Sequence, residues 1–95
     1  MGILGIFRRR KGPLNDGERR AALLKSGRLT DGTIIDTEVS GDEEVAFFTY
    51  SVAGTDFESS ERLTVEQRND PVRYAPGAKV GIRYDTRNHG NAIIV

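Results

Sequence analysis

The chain has 95 residues, 37% hydrophobic and 29% charged, with fourteen Lys/Arg, fourteen Asp/Glu and no cysteine. That is one ordinary globular domain, large enough for a modest core without staples and too apolar for a disordered chain. The missing thiols exclude disulfides, thiolate nucleophiles, Zn–Cys sites and Fe–S clusters, and they suit a reducing compartment.

The zero net charge is unevenly spread. Residues 1–28 hold eight Lys/Arg against two acids, and residues 29–95 hold six against twelve. The pattern describes a basic arm on an acidic body, either reaching out to an anionic surface or folded back onto the body.

Residues 1–14 read as a tail. Apolar Ile3, Leu4, Ile6 and Phe7 precede four consecutive cations, Arg8, Arg9, Arg10 and Lys11. The apolar run is far shorter than the about 20 residues that span a bilayer. Its charges follow it, unlike those of a signal peptide. Ile6 stands where a myristoylation signal wants Ser or Thr. The order suits a reversible interfacial anchor, with the apolar side chains at the acyl boundary and each cation on anionic headgroups contributing about 1 kcal/mol. The competing reading is a tail of incidental composition.

"KGPLNDG" then breaks the chain, and residues 15–27 form a predicted helix. Asn15 or Asp16 caps its first N–H groups, with Glu18 at capping-box spacing from Asn15. Gly27 takes the left-handed position after the last turn, and Lys25 and Arg28 suit the negative end of the dipole. About three turns are marginal alone, so the helix must pack on something.

From residue 28 the chain turns to β-structure. "TIIDTEV" is β-branched, residues 40–43 are turn-like, and "EVAFFTYSVAGTDFESS" reads as two strands around Ala53-Gly54. Thr64 and Gln67 have capping-box spacing for a short helical turn. "YAPGAK" is a Pro-Gly turn. In "KVGIRYD", Val80, Ile82 and Tyr84 share one face and Gly81 and Arg83 the other, and "NAIIV" is a last strand. A hairpin at Ala53-Gly54 sets Val52 opposite Thr55 and Tyr50 opposite Phe57. A loop at 40–43 sets Val39 opposite Glu44 and Ile35 opposite Phe48, with Thr33, Ile35, Thr37 and Val39 on the face of Phe48 and Tyr50. That register leaves Ile34 and Phe47 on the other face, where Leu23 and Leu24 of the helix are expected to cover them.

Three stretches carry a resemblance: the hydrophobic strand after Gly27, the block with Tyr50, Val52, Gly54 and Phe57, and the block with Pro76, Gly77, Val80, Ile82, Tyr84 and Asp85. Together they resemble a bacterial domain-of-unknown-function family, number 3592, over about residues 27–95. Thr86 and His89 stand where that pattern commonly has Pro. The resemblance implies a small β-domain, often beside membrane-spanning helices, and it transfers no catalytic residue.

Other constellations read as structure. Asp42, Glu43 and Glu44 are too few and too adjacent for a hard-cation loop. His89 has no second histidine or cysteine to work with, and stands as a loop residue. Asp85 reads as a turn cap. The glycines match no nucleotide-binding pattern. Phe47, Phe48, Tyr50 and Phe57 could stack bases, but the acidic body repels phosphate, so they read as core.

The expected fold is therefore mainly β, a five-stranded antiparallel barrel-like sheet with SH3-like or OB-like closure and one short N-terminal α-helix. The expected function is a non-catalytic binding or structural module, not an enzyme, with no cofactor and no metal. Its expected partners are an anionic membrane surface met through residues 3–11 and a protein; nucleic acid is disfavoured. The expected location is cytoplasmic, peripheral at the inner membrane face where the arm engages. A small nucleic-acid-binding barrel is the alternative, and an enzyme with an unseen site comes third.

Overall fold

The computed structural model describes residues 16–95, in the order α1 (Asp16–Ser26), β1 (Arg28–Ser40), β2 (Glu43–Val52), β3 (Thr55–Arg62), α2 (Val65–Arg68), β4 (Lys79–Asp85) and β5 (Asn88–Ile94). The expected tail and the Asn15 cap lie outside the described residues. The strands form one antiparallel sheet in the order β3-β2-β1-β4-β5, curled so that β3 and β5 face each other. Strands β1 to β3 form a meander and β4 returns to the far side of β1, which is a Greek key. A five-stranded, partly open Greek-key barrel is the OB-type closure, and α2 sits in the connection from β3 to β4.

The turn chemistry acts where the residues predict. Ala53 and Gly54 both adopt positive φ, 52° and 85°, as a two-residue type I′ hairpin requires. Val52 opposes Thr55, and Tyr50 opposes Phe57. Pro76-Gly77 forms a turn with Gly77 at φ 90°, closed by the Ala78 N–H on the Ala75 carbonyl at 2.9 Å. The capping box at α2 is complete. Thr64 accepts from the Gln67 N–H, and the Gln67 side chain accepts from the Thr64 N–H.

The β1–β2 register holds at the hairpin end, with Val39 opposite Glu44, and then shifts. Asp36 opposes Phe47 and Ile34 opposes Phe48, so Ile35 is the extra residue of a bulge. The shift exchanges the expected faces of Ile34 and Ile35. Ile34 is fully buried with Phe48, Tyr50, Val80 and Ile82, while Ile35 is 46% exposed; Val39 keeps its expected register but is 73% exposed and not in the core. A single register would have placed Ile35 in the core and Ile34 outside; the bulge keeps the hairpin pairing and still buries the residue nearest the barrel axis.

The core continues through Val52, Leu63, Tyr74, Tyr84, Ala92 and Ile94. Phe48, Tyr50 and Phe57 stack in series at 5.7 Å. His89 belongs to this packing and to β5, not to a loop. Its ring stands edge-on to Phe57 and Tyr84, and its carbonyl accepts the Tyr50 hydroxyl at 2.5 Å.

The helix covers a different surface from the expected one. It packs against β4 and β5, where Arg83 pairs with Ile93 on the outer face. Leu23 is buried and Ile93 fully so, but Leu24 is 45% exposed. Gly27 is needed for close approach and not for a left-handed φ. A Cβ there would stand 2.6 Å from the Leu23 carbonyl oxygen and 3.2 Å from Arg83 Cβ. The Arg83 guanidinium donates to the Gly27 carbonyl at 2.9 Å.

Two outcomes follow for stability. Ala53→Asn, which accepts positive φ more readily, should raise stability by about 0.5–1 kcal/mol, read as a higher midpoint in denaturant. Leu23→Ala should cost about 2–3 kcal/mol and Leu24→Ala no more than about 0.5. Leu23→Ala and Phe47→Ala should add, because α1 does not lie over Phe47.

Candidate functional site

The outer face of β2 is a surface that no other described element packs over. Outward-facing residues of β1, β2 and β3 line up in rows: Asp36, Phe47 and Ser60; then Glu38, Val45 and Arg62. Thr49 and Glu58 lie beyond Phe47, and Glu43 lies below Val45. Ile35 and Asp36 together oppose Phe47, so the bulge adds an isoleucine to this face. Val45 and Phe47 are half-buried, and Asp36, Glu38, Glu43 and Glu58 are exposed. The result is an apolar strip of Ile35, Val45 and Phe47 with a carboxylate rim. Arg62 is already engaged, 2.9 Å from Asp16 and 3.1 Å from Glu43. Its bond to Asp16 places the start of α1 at the border of this face, where Asp16, Glu43, Val45 and Ser60 line one cavity.

Strands 2 and 3 are where OB barrels take oligonucleotides and oligosaccharides. Here that region bears acids, which repel phosphate and favour a cationic partner. The aromatic residues weighed as base-stacking groups are placed otherwise: Phe48 and Tyr50 are buried, and Phe57 is half-buried against the core.

On the opposite side of α1 lies the seam between β3 and β5. Arg19 donates to Glu61 Oε1 at 2.5 Å, to Asn91 Oδ1 at 2.9 Å and to the Ala92 carbonyl at 3.3 Å. Arg20 donates to the Ile94 carbonyl at 2.7 Å and stands 3.7 Å from Glu61 Oε2. The Gln67 amide donates to the same Ile94 carbonyl at 3.1 Å. Burial pushes the Glu61 carboxyl above its ordinary range, and Arg19 and then Arg20 pull it partly back.

The arm residues Ile3, Leu4, Ile6, Phe7, Arg8, Arg9, Arg10 and Lys11 lie outside the described residues. The acidic triplet is divided: Glu43 pairs with Arg62, while the carbonyls of Asp42 and Glu44 accept from Arg68 and from the Leu63 N–H. Among the described residues no group of three or more His, Asp or Glu could hold a metal ion. Asp85 caps its turn by accepting the Arg87 N–H at 2.8 Å. An open polar groove over β1 and β2, lined by Thr33, Thr49, Ser51, Asp56 and Lys79, has its polar groups turned to one another. Lys79 bonds Thr33, Ser51 bonds Asp56, and Thr49 bonds the Phe57 carbonyl.

Sequence reasoning missed Arg19, Arg20 and Glu61 as a unit. Two adjacent arginines in the first helical turns looked like part of the arm, and Glu61, facing inward two positions after Ser59 on β3, gave no local signal of its partners. A small, partly open Greek-key barrel with a helix across its seam defines the structural class. The family model described as Domain of unknown function (DUF3592) matches residues 27–95, and the chain belongs to that family. No curated protein and no solved structure matches the chain.

The seam makes stability depend on pH. A carboxyl with a raised folded pKa binds its proton more tightly in the folded state. Its favourable contribution is therefore complete below the unfolded value and is lost as pH rises through the folded one. The melting temperature of the native chain minus that of Glu61→Gln should fall as pH rises from about 4 to about 7. A difference that stays flat, or rises, would show that the arginines outweigh burial.

Proposed function

We propose that the chain is a non-catalytic anchoring module that presents its N-terminal apolar and basic segment to an anionic surface, reversibly. The observation that carries the reading is the mounting of α1. Arg19 and Arg20 fix this helix across the barrel seam, so residues 3–11 are tethered to a defined point on the body at Asp16. Residues 16–95 carry ten Lys/Arg against fourteen Asp/Glu, so the four cations at 8–11 are the part of the chain suited to an anionic surface. No helix among the described residues is long and apolar enough to cross a membrane. The nucleic-acid reading has less support, because the outward aromatic, Phe47, is ringed by carboxylates.

The test is co-sedimentation with vesicles. The full chain should bind phosphatidylserine-containing vesicles and bind phosphatidylcholine vesicles far less, with the difference shrinking as salt rises. Replacing Arg8, Arg9 and Arg10 together by Gln should weaken binding about 100-fold, from about 1 kcal/mol for each cation. Equal binding by the triple variant, or equal binding to neutral vesicles, would sink the reading.

A further inference from the structure

The apolar strip on β2 has no cover among the described elements. Ile35 is nearly half exposed at the bulge opposite Phe47, Val45 shares Phe47's face of β2, and α1 packs on β4 and β5 instead. Its rim is Asp36, Glu38, Glu43 and Glu58, all exposed. An occupant must be apolar along its middle and cationic beside it. The chain contains one such segment: Ile3, Leu4, Ile6 and Phe7 followed by Arg8–Lys11. We propose that the outer face of β2 is the seat of the chain's own N-terminal segment, with its apolar side chains on Ile35, Val45 and Phe47 and its cations among the rim carboxylates.

Where the described chain begins supports this occupant over others. Asp16 pairs with Arg62, the outward residue next to Val45, so α1 starts at the border of the seat. Asp16 is nine positions on from Phe7, and an extended chain over that span reaches about 30 Å. Crossing from β3 to β1 takes only about 10 Å. Lys11 and the arginines can therefore lie along the rim while Phe7 reaches Phe47. A second copy is a poorer occupant, since two such faces would set carboxylates against carboxylates. A free phosphate-bearing partner meets the same repulsion.

This inference goes beyond surface attachment and does not rest on it. It adds that a vesicle and the β2 face would compete for the same residues, so the cations are held on the body until a denser anionic surface takes them.

The experiment uses the full chain in vesicle-free buffer. The sequence has no cysteine, so Gly5→Cys accepts a single nitroxide label. The label should broaden away the amide signals of residues 35–38, 45–47 and 58–60 and spare those of 81–83 and 92–94. Glu38→Lys with Glu58→Lys should restore the lost signals, as should salt near 1 M, where the screening length falls to about 3 Å. Glu66→Lys, an exposed change on α2, should restore nothing. Uniform or absent broadening, or broadening centred on β4 and β5, would overturn the seat. So would broadening of unlabelled chains mixed with labelled ones, since the occupant would then be another copy. Failure of vesicle binding leaves these readouts unchanged, so the two ideas fall separately.

Discussion

The fold depends on a seam that its backbone does not close. β3 and β5 stand at the two edges of the sheet and face each other without forming a ladder. Edge carbonyls left without donors in a half-buried seam are costly, and an open edge also invites pairing with other chains. Here the Ala92 and Ile94 carbonyls of β5 accept from Arg19, Arg20 and Gln67. Arginine suits this position because its planar fork can bond several acceptors at once, and Arg19 reaches a carboxylate on β3 and an amide and a carbonyl on β5. Glu61 offsets the guanidinium charges and ties them to β3. Two well-packed apolar residues could contribute as much stability as a buried ion pair. They could not satisfy the carbonyls, and they would not set where the helix lies.

The bulge at Ile35 is the second constraint, and it acts in the opposite direction by opening a surface. Up to Ile34, β1 is a central strand between β2 and β4, with the Pro76-Gly77 turn completing the pairing through the Ile34 N–H and carbonyl. Beyond it, β1 pairs only with β2, and the Asp36 carboxylate takes the Thr37 N–H at 2.8 Å. A carboxylate folded back onto its own strand leaves that edge less able to pair with another chain. The extra residue also sets Ile35 opposite Phe47, outside the core. The β1 side of the apolar strip and of its acidic rim thus arises from one inserted residue.

Much of this was legible in the sequence wherever a local rule applied. The I′ hairpin at Ala53-Gly54, the Thr64/Gln67 capping box, the Pro-Gly turn, the Asp85 cap and the alternation in β4 each involve residues close in the chain. The Ile34/Ile35 choice was not legible. Two adjacent isoleucines satisfy either register equally, and only the three-dimensional match of the hairpin end to the barrel end demands the extra residue. Gly27 reads locally as a left-handed terminus, whereas its actual role in close approach depends on Arg83, 56 positions away. For the candidate site, the outward Phe47 and its β3 neighbour Ser60 follow from the hairpin at Ala53-Gly54, but its neighbours on β1 follow from the bulge.

Charge shows the same division between local pattern and tertiary use. Counted along the chain, Arg19 and Arg20 belong with Arg8–Lys11 as one basic block. In the fold they are spent inside the seam, at 27% and 21% side-chain exposure, on Glu61 and two carbonyls. This separates two tasks that composition merges. The inner pair fixes α1 to the barrel with bonds that solvent and salt reach poorly, because the partners are mostly buried. The contact proposed for the other four, Arg8–Lys11, is of a different kind, to exposed carboxylates, where attraction is weak and sensitive to salt. Weak binding is what the proposed exchange of this segment between the body and an anionic surface requires. A tight intramolecular pair would hold it on the body, and no attraction at all would leave its apolar residues exposed next to the apolar strip on β2. On this proposal one short N-terminal region divides its cations between a structural clamp, Arg19 and Arg20, and a reversible contact, Arg8–Lys11.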